Sequence, residues 1–241
     1  PVFHSTPQVE VKEVPKKLLI LGGGIIGLEM GTVYSTLGSQ VDVAIRGEQL
    51  MTGTDADLIK LYTKANKDRF NIMSKTQTQS IIPKQDGIYV EFKGENAPKE
   101  GILYDAVLVA LGRSANGNKL GLENTSIEVN EQGLIKVDNQ LRTKANHIFA
   151  IGDIAEIKNK KGEIMPPNVT VARISGTCAG KNILAMIKNK KMTPCDPKLE
   201  GILIALGGKY AAGNLYGLVH VKGRIAYEIK KYVFSSYRKP L

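Results

Sequence analysis

The chain has 241 residues, of which 42% are hydrophobic and 23% charged, a composition typical of a soluble globular protein with one large domain or two small ones. Wholesale disorder, a membrane span of about 18 apolar residues and a signal peptide are not indicated. The two cysteines, Cys178 and Cys195, are too few for a disulfide framework, and we therefore expect a reducing, cytoplasmic location.

The net charge of +10 is concentrated in the C-terminal third. Residues 1–155 carry 17 basic and 18 acidic side chains, whereas residues 156–241 carry 16 basic and 5 acidic ones. This asymmetry is typical of contact with an acidic partner, an anionic membrane or nucleic acid, and equally of a solvated basic face. Our prediction includes no nucleic-acid partner.

The first predicted elements surround a glycine-rich turn. Residues 1–15 lack periodicity, and we expect a connector that follows an earlier stretch of chain. Leu18–Leu21 is predicted as a buried parallel strand, and Ile25–Leu37 as a helix that ends at Gly38.

The turn itself carries the pattern G-x-G-x-x-G. Gly22 permits the bend, Gly24 allows backbone to approach a pyrophosphate, and Gly27 lets the helix pack closely on the strand. The helix N-terminus then offers N–H groups and partial positive charge to phosphates. The sequence therefore predicts a dinucleotide site, in which Glu29 is either solvent-exposed or within reach of the nicotinamide amide.

The second predicted strand, Gln40–Ile45, ends without the carboxylate that NAD-binding units place there. Arg46 follows instead, and a guanidinium pairs with a 2′-phosphate that a carboxylate would repel. Glu48 lies two residues further on. The pattern favours NADPH, or a relaxed choice between NAD and NADP.

The fold predicted from these elements is α/β, a Rossmann-type parallel sheet with an inserted β-meander and a smaller α+β C-terminal segment. The meander begins with a hairpin over Gln77–Phe92, and the buried strand Ala106–Leu111 leads to Gly112 at the cofactor-binding edge. Between the second strand and the hairpin, Thr54 is predicted to cap a helix that runs to Arg69.

Two more strands are predicted before the basic third of the chain, Leu134–Val137 and Ile148–Ile151. The second is followed by Asp153, whose carboxylate either accepts from a ligand hydroxyl or forms a structural Asx-turn; the spacing alone favours the turn.

The basic third is predicted to contain two helices and two strands. The helix Val169–Lys188 is followed by strands Ile202–Leu206 and Tyr216–Val221. Arg224–Tyr237 is a basic amphipathic helix with Ile225, Ile229, Tyr232 and Val233 on one face, typical of membrane interfaces and equally of docking on the parent domain.

Three runs of sequence resemble the dihydrolipoamide dehydrogenases of the pyridine nucleotide-disulfide oxidoreductase family. They are VPKKLLILGGGIIGLEMGTVYSTLGSQVDV, YDAVLVALGR and LRTKANHIFAIGDI, between about Val11 and Ile154. The resemblance implies that the first run and Gly112 bind the nicotinamide dinucleotide and that Asp153 holds the ribityl chain of FAD in a partial site. The candidate cofactor-binding residues are Gly22, Gly23, Gly24, Ile25, Ile26, Gly27, Glu29, Arg46, Gly112 and Asp153.

The chain departs from that family in ways that leave the catalytic residues unknown. The family's N-terminal FAD fingerprint, its C-x-x-x-x-C pair and its C-terminal His and Glu pair have no counterpart here, and His4, His147 and His220 match no motif. Lipoamide reduction by this chain alone is therefore not expected, and no metal site is predicted.

The residues after Ala155 are more similar to the C-terminal part of type II NADH:quinone oxidoreductases, a family held to the membrane by amphipathic helices. The runs PPNVTVARISGTCAGKNILAMIK and LGGKYAAGNLYGLVHVKGRIAYEIKKYVFSSYRKPL carry this likeness. It implies peripheral membrane contact through residues 222–239, at the inner face of a membrane.

Three functions follow as alternatives. The first is the nicotinamide-binding part of a flavin-dependent oxidoreductase that passes hydride between NAD(P)H and FAD, completed by a flavoprotein remainder or a homodimer. The others are a membrane-associated NADH:quinone reductase and a nucleotide-binding module without turnover. The predicted domains are a connector (1–15), a Rossmann domain (16–120), strands of a partial FAD domain (121–155) and a basic C-terminal segment (156–241).

Overall fold

The structure is a computed structural model that describes residues 2–4, 13–199 and 201–237. The helices and strands up to residue 112 are β1 (Val2–His4), β2 (Lys17–Leu21), α1 (Ile25–Thr36), β3 (Gln40–Ala44), α2 (Ala56–Asn66), β4 (Phe70–Met73), β5 (Thr76–Lys84), β6 (Gly87–Gly94), β7 (Ile102–Tyr104) and β8 (Ala106–Val109). They are followed by β9 (Ile135–Lys136), β10 (Ala155–Glu156) and α3 (Val169–Ile187). The last elements are β11 (Gly201–Gly207), β12 (Tyr210–Leu215), β13 (Val219–Gly223) and α4 (Arg224–Ser236).

The described residues form two compact units. The first combines residues 1–112 with residues 201–241, and the second contains residues 113–200. The predicted segment 156–241 is therefore divided between the units, because β11 to β13 pack into the core of the first. The first unit also ends at Gly112 rather than at residue 120.

The first unit is built around a five-stranded parallel sheet in the order β1, β8, β2, β3, β4. The central strand β2 is apolar on both faces, as a parallel strand covered on both sides must be. Leu18 and Ile20 belong to the core cluster that contains α1 and α2, whereas Leu19 and Leu21 belong to the cluster on the opposite face. These observations confirm the predicted Rossmann-type sheet.

Antiparallel strands cover one face of this sheet, and helices α1 and α2 cover the other, with a second antiparallel sheet packed on these helices. The predicted meander is confirmed as β5, β6 and β7, and its apolar side chains Ile88, Val90 and Phe92 share a cluster with Leu19. On the helices that cover the other face, β11, β12 and β13 form an antiparallel sheet whose residue Ile204 is buried in the same cluster as α1 and α2.

The second unit packs around α3. Asn168 caps this helix with a side-chain oxygen that accepts from the Val171 N–H at 2.9 Å. The core of the unit includes Val171, Ala179, Leu141 and Ile157, and its two-residue strands β9 and β10 pair in parallel.

Several predicted elements differ from the structure. Ile148–Ile151 forms no strand and makes only an isolated bridge through Phe149, while β10 lies four residues further on. Helix α2 is capped by Asp55 rather than Thr54, and it ends at Asn66. The strand predicted over Tyr216–Val221 starts only at Val219.

The predicted connector over residues 1–15 contains a strand. Val2–His4 pairs in parallel with β8, at the edge of the main sheet. Residues 5–12 of the predicted connector and residues 238 and 239 of the predicted membrane segment lie outside the described residues.

Candidate functional site: a cavity at the glycine turn

The turn between β2 and α1 is shaped by glycines that have no room for a side chain. Gly22 has φ +111°, and a Cβ there would lie 2.4 Å from the Ala110 carbonyl oxygen. A Cβ on Gly27 would lie 2.6 Å from the Gly22 carbonyl oxygen, and one on Gly23 would lie 2.7 Å from Cγ2 of Ile45. At Gly22 and Gly27 the obstructing atom belongs to the backbone, so packing requires glycine there, whereas at Gly23 it belongs to a side chain.

Gly24 differs, since no protein atom lies within 4 Å of the position its Cβ would take. It is the N-cap of α1, and no side chain caps the helix or places an acidic group in its first turn. The first N–H groups of a helix lack partners within the helix, so this end offers donors and partial positive charge. The space at Gly24 is therefore suited to an anionic ligand that approaches the backbone.

A cavity of about 650 Å³ lies over this turn. It is lined by residues at the carboxyl ends of β2, β3 and β8 and at the beginning of β5, where ligands bind in open α/β sheets. The lining residues are Leu21, Gly22, Gly23, Gly24, Ile25, Ala44, Ile45, Arg46, Gly47, Gln49, Met51, Thr52, Thr54, Thr76, Gln77, Thr78, Ala110, Leu111 and Gly112.

Arg46 is the only charged side chain among those lining residues. It follows β3, at the position where the sequence predicts recognition of a 2′-phosphate. Arg46 gives the cavity a formal positive charge, and the N-terminus of α1 adds a partial positive charge. No carboxylate is among the lining residues to repel an anion.

The loop from Gly47 to Thr54 completes one wall, a contribution that the sequence analysis missed. The Met51 N–H donates to the Gly23 carbonyl oxygen at 2.9 Å, and Met51 has φ +50°. The side chain of Leu50 meets the Gly23 position. No motif marks these residues, because their contact with the turn depends on tertiary packing.

Six of the ten candidate residues line the cavity: Gly22, Gly23, Gly24, Ile25, Arg46 and Gly112. Ile26, Gly27 and Glu29 do not, although Glu29 lies one helical turn after Ile25 on α1. Glu29 instead accepts a hydrogen bond at 3.3 Å from Nζ of Lys230 in α4, a partner that the sequence analysis did not predict.

The tenth candidate, Asp153, belongs to the second unit. It is exposed and lies in a 3₁₀ turn, Gly152–Ile154. Gly152 has φ +67°, and its N–H donates to Oγ of Ser175 at 3.1 Å. This contact with α3 holds the Asp153 backbone in place.

Comparison with known proteins identifies the family. Residues 2–176 match the family described as pyridine nucleotide-disulphide oxidoreductase. The chain belongs to that family. Dihydrolipoyl dehydrogenase of Vibrio cholerae is 54% identical over 153 residues, which are 64% of this chain and 32% of the relative. The Bacillus subtilis enzyme of the same name is 36% identical over 159 residues, or 33% of its length.

Solved structures share the fold of this pyridine nucleotide-disulphide oxidoreductase chain. An engineered water-forming NADPH oxidase bound to NADPH gives a TM-score of 0.73 at 21% identity, over 88% of this chain and 46% of the other. A water-forming NADH oxidase from Lactobacillus brevis, bound to NADH, gives 0.71 at 21% identity, over 89% and 47%. The chain thus spans about a third of the curated relatives named above and about half of these structures.

Proposed function

We propose that this chain is the nicotinamide-dinucleotide-binding part of a flavin-dependent oxidoreductase similar to dihydrolipoyl dehydrogenase. The observation that carries the proposal is the open space at Gly24, where an uncapped helix N-terminus faces a cavity with Arg46 as its one charged lining residue. A pyrophosphate fits this chemistry, since it needs close backbone approach and N–H donors.

The protein's contribution is to bind and orient the dinucleotide. The Gly22–Ile25 backbone would bind the pyrophosphate, and Arg46 would bind a 2′-phosphate. Gly112 would line the far side of the cleft. When bound, FAD exchanges a hydride with the nicotinamide, and this redox chemistry belongs to the cofactors. Of the residues described, Asp153 is our candidate for contact with the ribityl chain, and a homodimer or flavoprotein remainder would supply the rest of that site.

The proposal is tested by titrating NADH and NADPH calorimetrically into the parent chain and into Gly24→Ala. The added methyl group meets no protein atom, so the variant should fold normally. Its affinity for either nucleotide should nevertheless fall by roughly tenfold or more, because the methyl group would occupy the space of the pyrophosphate. Gly180→Ala is the matched control, because Gly180 also has open space but lies in α3. Equal affinities for Gly24→Ala and the parent would contradict the proposal.

Turnover is tested separately from binding. With FAD and a dye acceptor added, an oxidoreductase should oxidise NAD(P)H, whereas a nucleotide-binding module without turnover should bind the nucleotide and leave the dye unreduced. Dye reduction that requires added FAD would establish turnover by this chain itself.

The outer face of α4 favours membrane association as a second candidate. Ile225 and Tyr232 are 71% and 75% exposed, and the exposed residues Arg224 and Lys231 adjoin them in the sequence, with Nζ of Lys231 3.9 Å from the carboxylate of Glu228. An apolar surface with flanking cations suits an anionic interface. Ile229 and Val233 of the predicted face are partly buried, so only part of that face is free. In the described residues, no helix is both long and apolar enough to cross a bilayer.

Sedimentation with anionic vesicles tests this candidate without removing any part of the fold. The double variant Ile225→Glu, Tyr232→Glu should lose vesicle binding. Ile187→Glu changes an equally exposed side chain at the end of α3 and should retain it. A parent chain that stays in the supernatant would rule out this candidate.

A further inference from the structure

The two cysteines, 17 positions apart in the sequence, are brought together in the second unit. Cys178 lies on α3 and is partly buried, whereas Cys195 is buried in the irregular segment that follows the helix. Both belong to the same apolar cluster, in which Cys195 is a buried member and Cys178 is a partly buried residue packed against it.

The contact follows from the way the irregular segment docks on the helix. Asn182 donates from Nδ2 to the Thr193 carbonyl oxygen at 2.9 Å, and its Oδ1 accepts from the Thr193 N–H at 2.9 Å. Cys178 precedes Asn182 by one helical turn, which spans roughly 6 Å, and Cys195 follows Thr193 by only two residues. The contact between Asn182 and Thr193 therefore brings the two cysteines close together.

A second backbone contact holds Cys195 in this position. Its N–H donates to the Asn139 carbonyl oxygen at 2.7 Å, and Asn182 also donates to the Gln140 carbonyl oxygen at 3.1 Å. Because both sides of the pair are anchored independently of the sulfur atoms, the thiols are held in proximity rather than meeting by chance motion.

We propose that Cys178 and Cys195 form a reversible redox site that small-molecule disulfides convert to an intramolecular disulfide. In the first step, the Cys178 thiolate attacks one sulfur of the reagent, whose S–S bond breaks and releases one thiol. In the second, the Cys195 sulfur loses its proton to solvent and attacks the Cys178 sulfur, which releases the second thiol. The two cysteines are oxidised by two electrons, and one reagent disulfide is reduced to two thiols.

The order of attack follows from the surroundings of the two thiols. Cys178 is the partly exposed member, so the reagent reaches it first. Burial, followed by the hydrogen bond with Cys178, raises the pKa of the Cys195 thiol to about 12, which makes Cys195 a poor initial nucleophile. Cys195 therefore acts as the resolving thiol, at a short distance from the mixed disulfide.

The experiment treats the reduced full chain with 2-hydroxyethyl disulfide and measures intact mass, free thiols and cross-linked peptides. The parent chain should lose about 2 Da, the mass of two hydrogens, lose both free thiols and give a peptide joining Cys178 to Cys195. In the Cys195→Ser variant the reaction should halt at a stable mixed disulfide between the reagent and Cys178. The Cys178→Ser variant should remain unmodified for as long as the chain is folded.

Dithiothreitol should restore both thiols in the parent chain. The oxidised parent should also melt at a higher temperature than the reduced one, because the cross-link restricts the unfolded chain. A parent chain that keeps two free thiols, or that carries reagent separately on both cysteines, would overturn the proposal. These outcomes depend on the parent chain alone, so they do not require either serine variant to fold.

Discussion

At the scale of single residues, the glycines of the turn serve two different purposes. Gly22 and Gly27 are required by packing, since a Cβ at each would lie less than 3 Å from a backbone oxygen, whereas a Cβ at Gly23 would meet side-chain methyl groups. Gly24 has free space instead, and under the proposed function it is the position where a ligand, rather than the protein, would exclude a side chain. The G-x-G-x-x-G pattern alone does not separate these cases, because both reasons select the same amino acid.

Arg46 provides a prediction about cofactor choice. Arg46→Glu should weaken NADPH binding by about tenfold, equivalent to roughly 1.4 kcal/mol, and leave NADH binding nearly unchanged, because only NADPH carries the 2′-phosphate. Calorimetric titration with both nucleotides measures the ratio. Lys60→Glu, which makes the same charge change on the exposed face of α2, is the control. Equal losses for the two nucleotides would show that Arg46 acts through general charge alone.

At this scale the sequence predicts backbone positions better than side-chain partners. The glycine turn and Arg46 follow from local order along the chain, and the structure places them in one cavity. The pairing of Glu29 with Lys230 joins residues 201 positions apart, and no local pattern encodes it. Contacts of this kind depend on how β11 to α4 pack on α1.

At the scale of elements, Lys230 of α4 contacts Glu29 of α1, the helix that follows the glycine turn. Its Nζ lies 3.3 Å from Oε1 of Glu29 and donates a hydrogen bond to the Leu203 carbonyl oxygen at 3.1 Å. The Lys230 side chain is only 17% exposed. Lys230→Met should destabilise the fold by about 1–2 kcal/mol, since two acceptors lose a charged donor.

The same variant tests whether Glu29 serves the nicotinamide. If it does, Lys230→Met should weaken NADH binding but not the binding of ADP-ribose, which lacks that ring. Lys231→Met is the matched control, because Lys231 is 69% exposed and lies 3.9 Å from Glu228. A parallel loss for NADH and ADP-ribose would mean that Lys230 acts on the fold as a whole.

Asp55 links the start of α2 to the C-terminal sheet and makes the free energy of unfolding depend on pH in the acidic range. A hydrogen bond from the Leu58 N–H lowers the pKa of the Asp55 carboxyl, and His220, with Nε2 3.0 Å from Oδ1, lowers it further. Nδ2 of Asn214 lies 3.3 Å from Oδ2, and the carboxylate of Asp57 is also close. Because the pKa is lowered in the folded state, the stabilisation is complete above the unfolded value of about 3.9 and is lost as the pH falls below it.

Asp55→Asn should therefore flatten the acid dependence of unfolding. Asparagine still caps a helix, so the comparison isolates the charge. Urea midpoints of the parent chain should exceed those of the variant at about pH 6, and the gap should narrow at about pH 3. A gap of the same size at both values would show that the carboxylate charge contributes nothing.

Elements with strong local signals were predicted well, and those that depend on neighbours were not. The helices α1, α3 and α4 agree with the predictions to within one residue at each end. Strand β12, Tyr-Ala-Ala-Gly-Asn-Leu, was missed because it has no β-branched residue; it is a strand since β11 and β13 pair with it on both sides.

At the scale of the whole molecule, sequence order is a poor guide to the units. The charge shift after residue 155 suggested one basic C-terminal segment, but the structure assigns residues 156–200 and 201–241 to different units. Charge is a property of the surface and carries little information about which core a segment joins. The apolar residues of β11 and β12, rather than the lysines around them, determine membership of the first unit.

The burial of β11 in this core makes the stability of α1 depend on the C-terminal sheet. Leu206 of β11 is 3% exposed in the cluster that includes α1 and α2, so Leu206→Ala should lower the free energy of unfolding by about 2–5 kcal/mol and speed amide exchange in α1. Leu218→Ala is the matched control, since Leu218 is 84% exposed in the turn before β13 and should change stability by less than about 0.5 kcal/mol. Chemical denaturation and hydrogen exchange followed by mass spectrometry measure both effects. If amide exchange in α1 is the same in Leu206→Ala as in Leu218→Ala, the C-terminal sheet does not stabilise α1, and the core around the parallel sheet is stable without it.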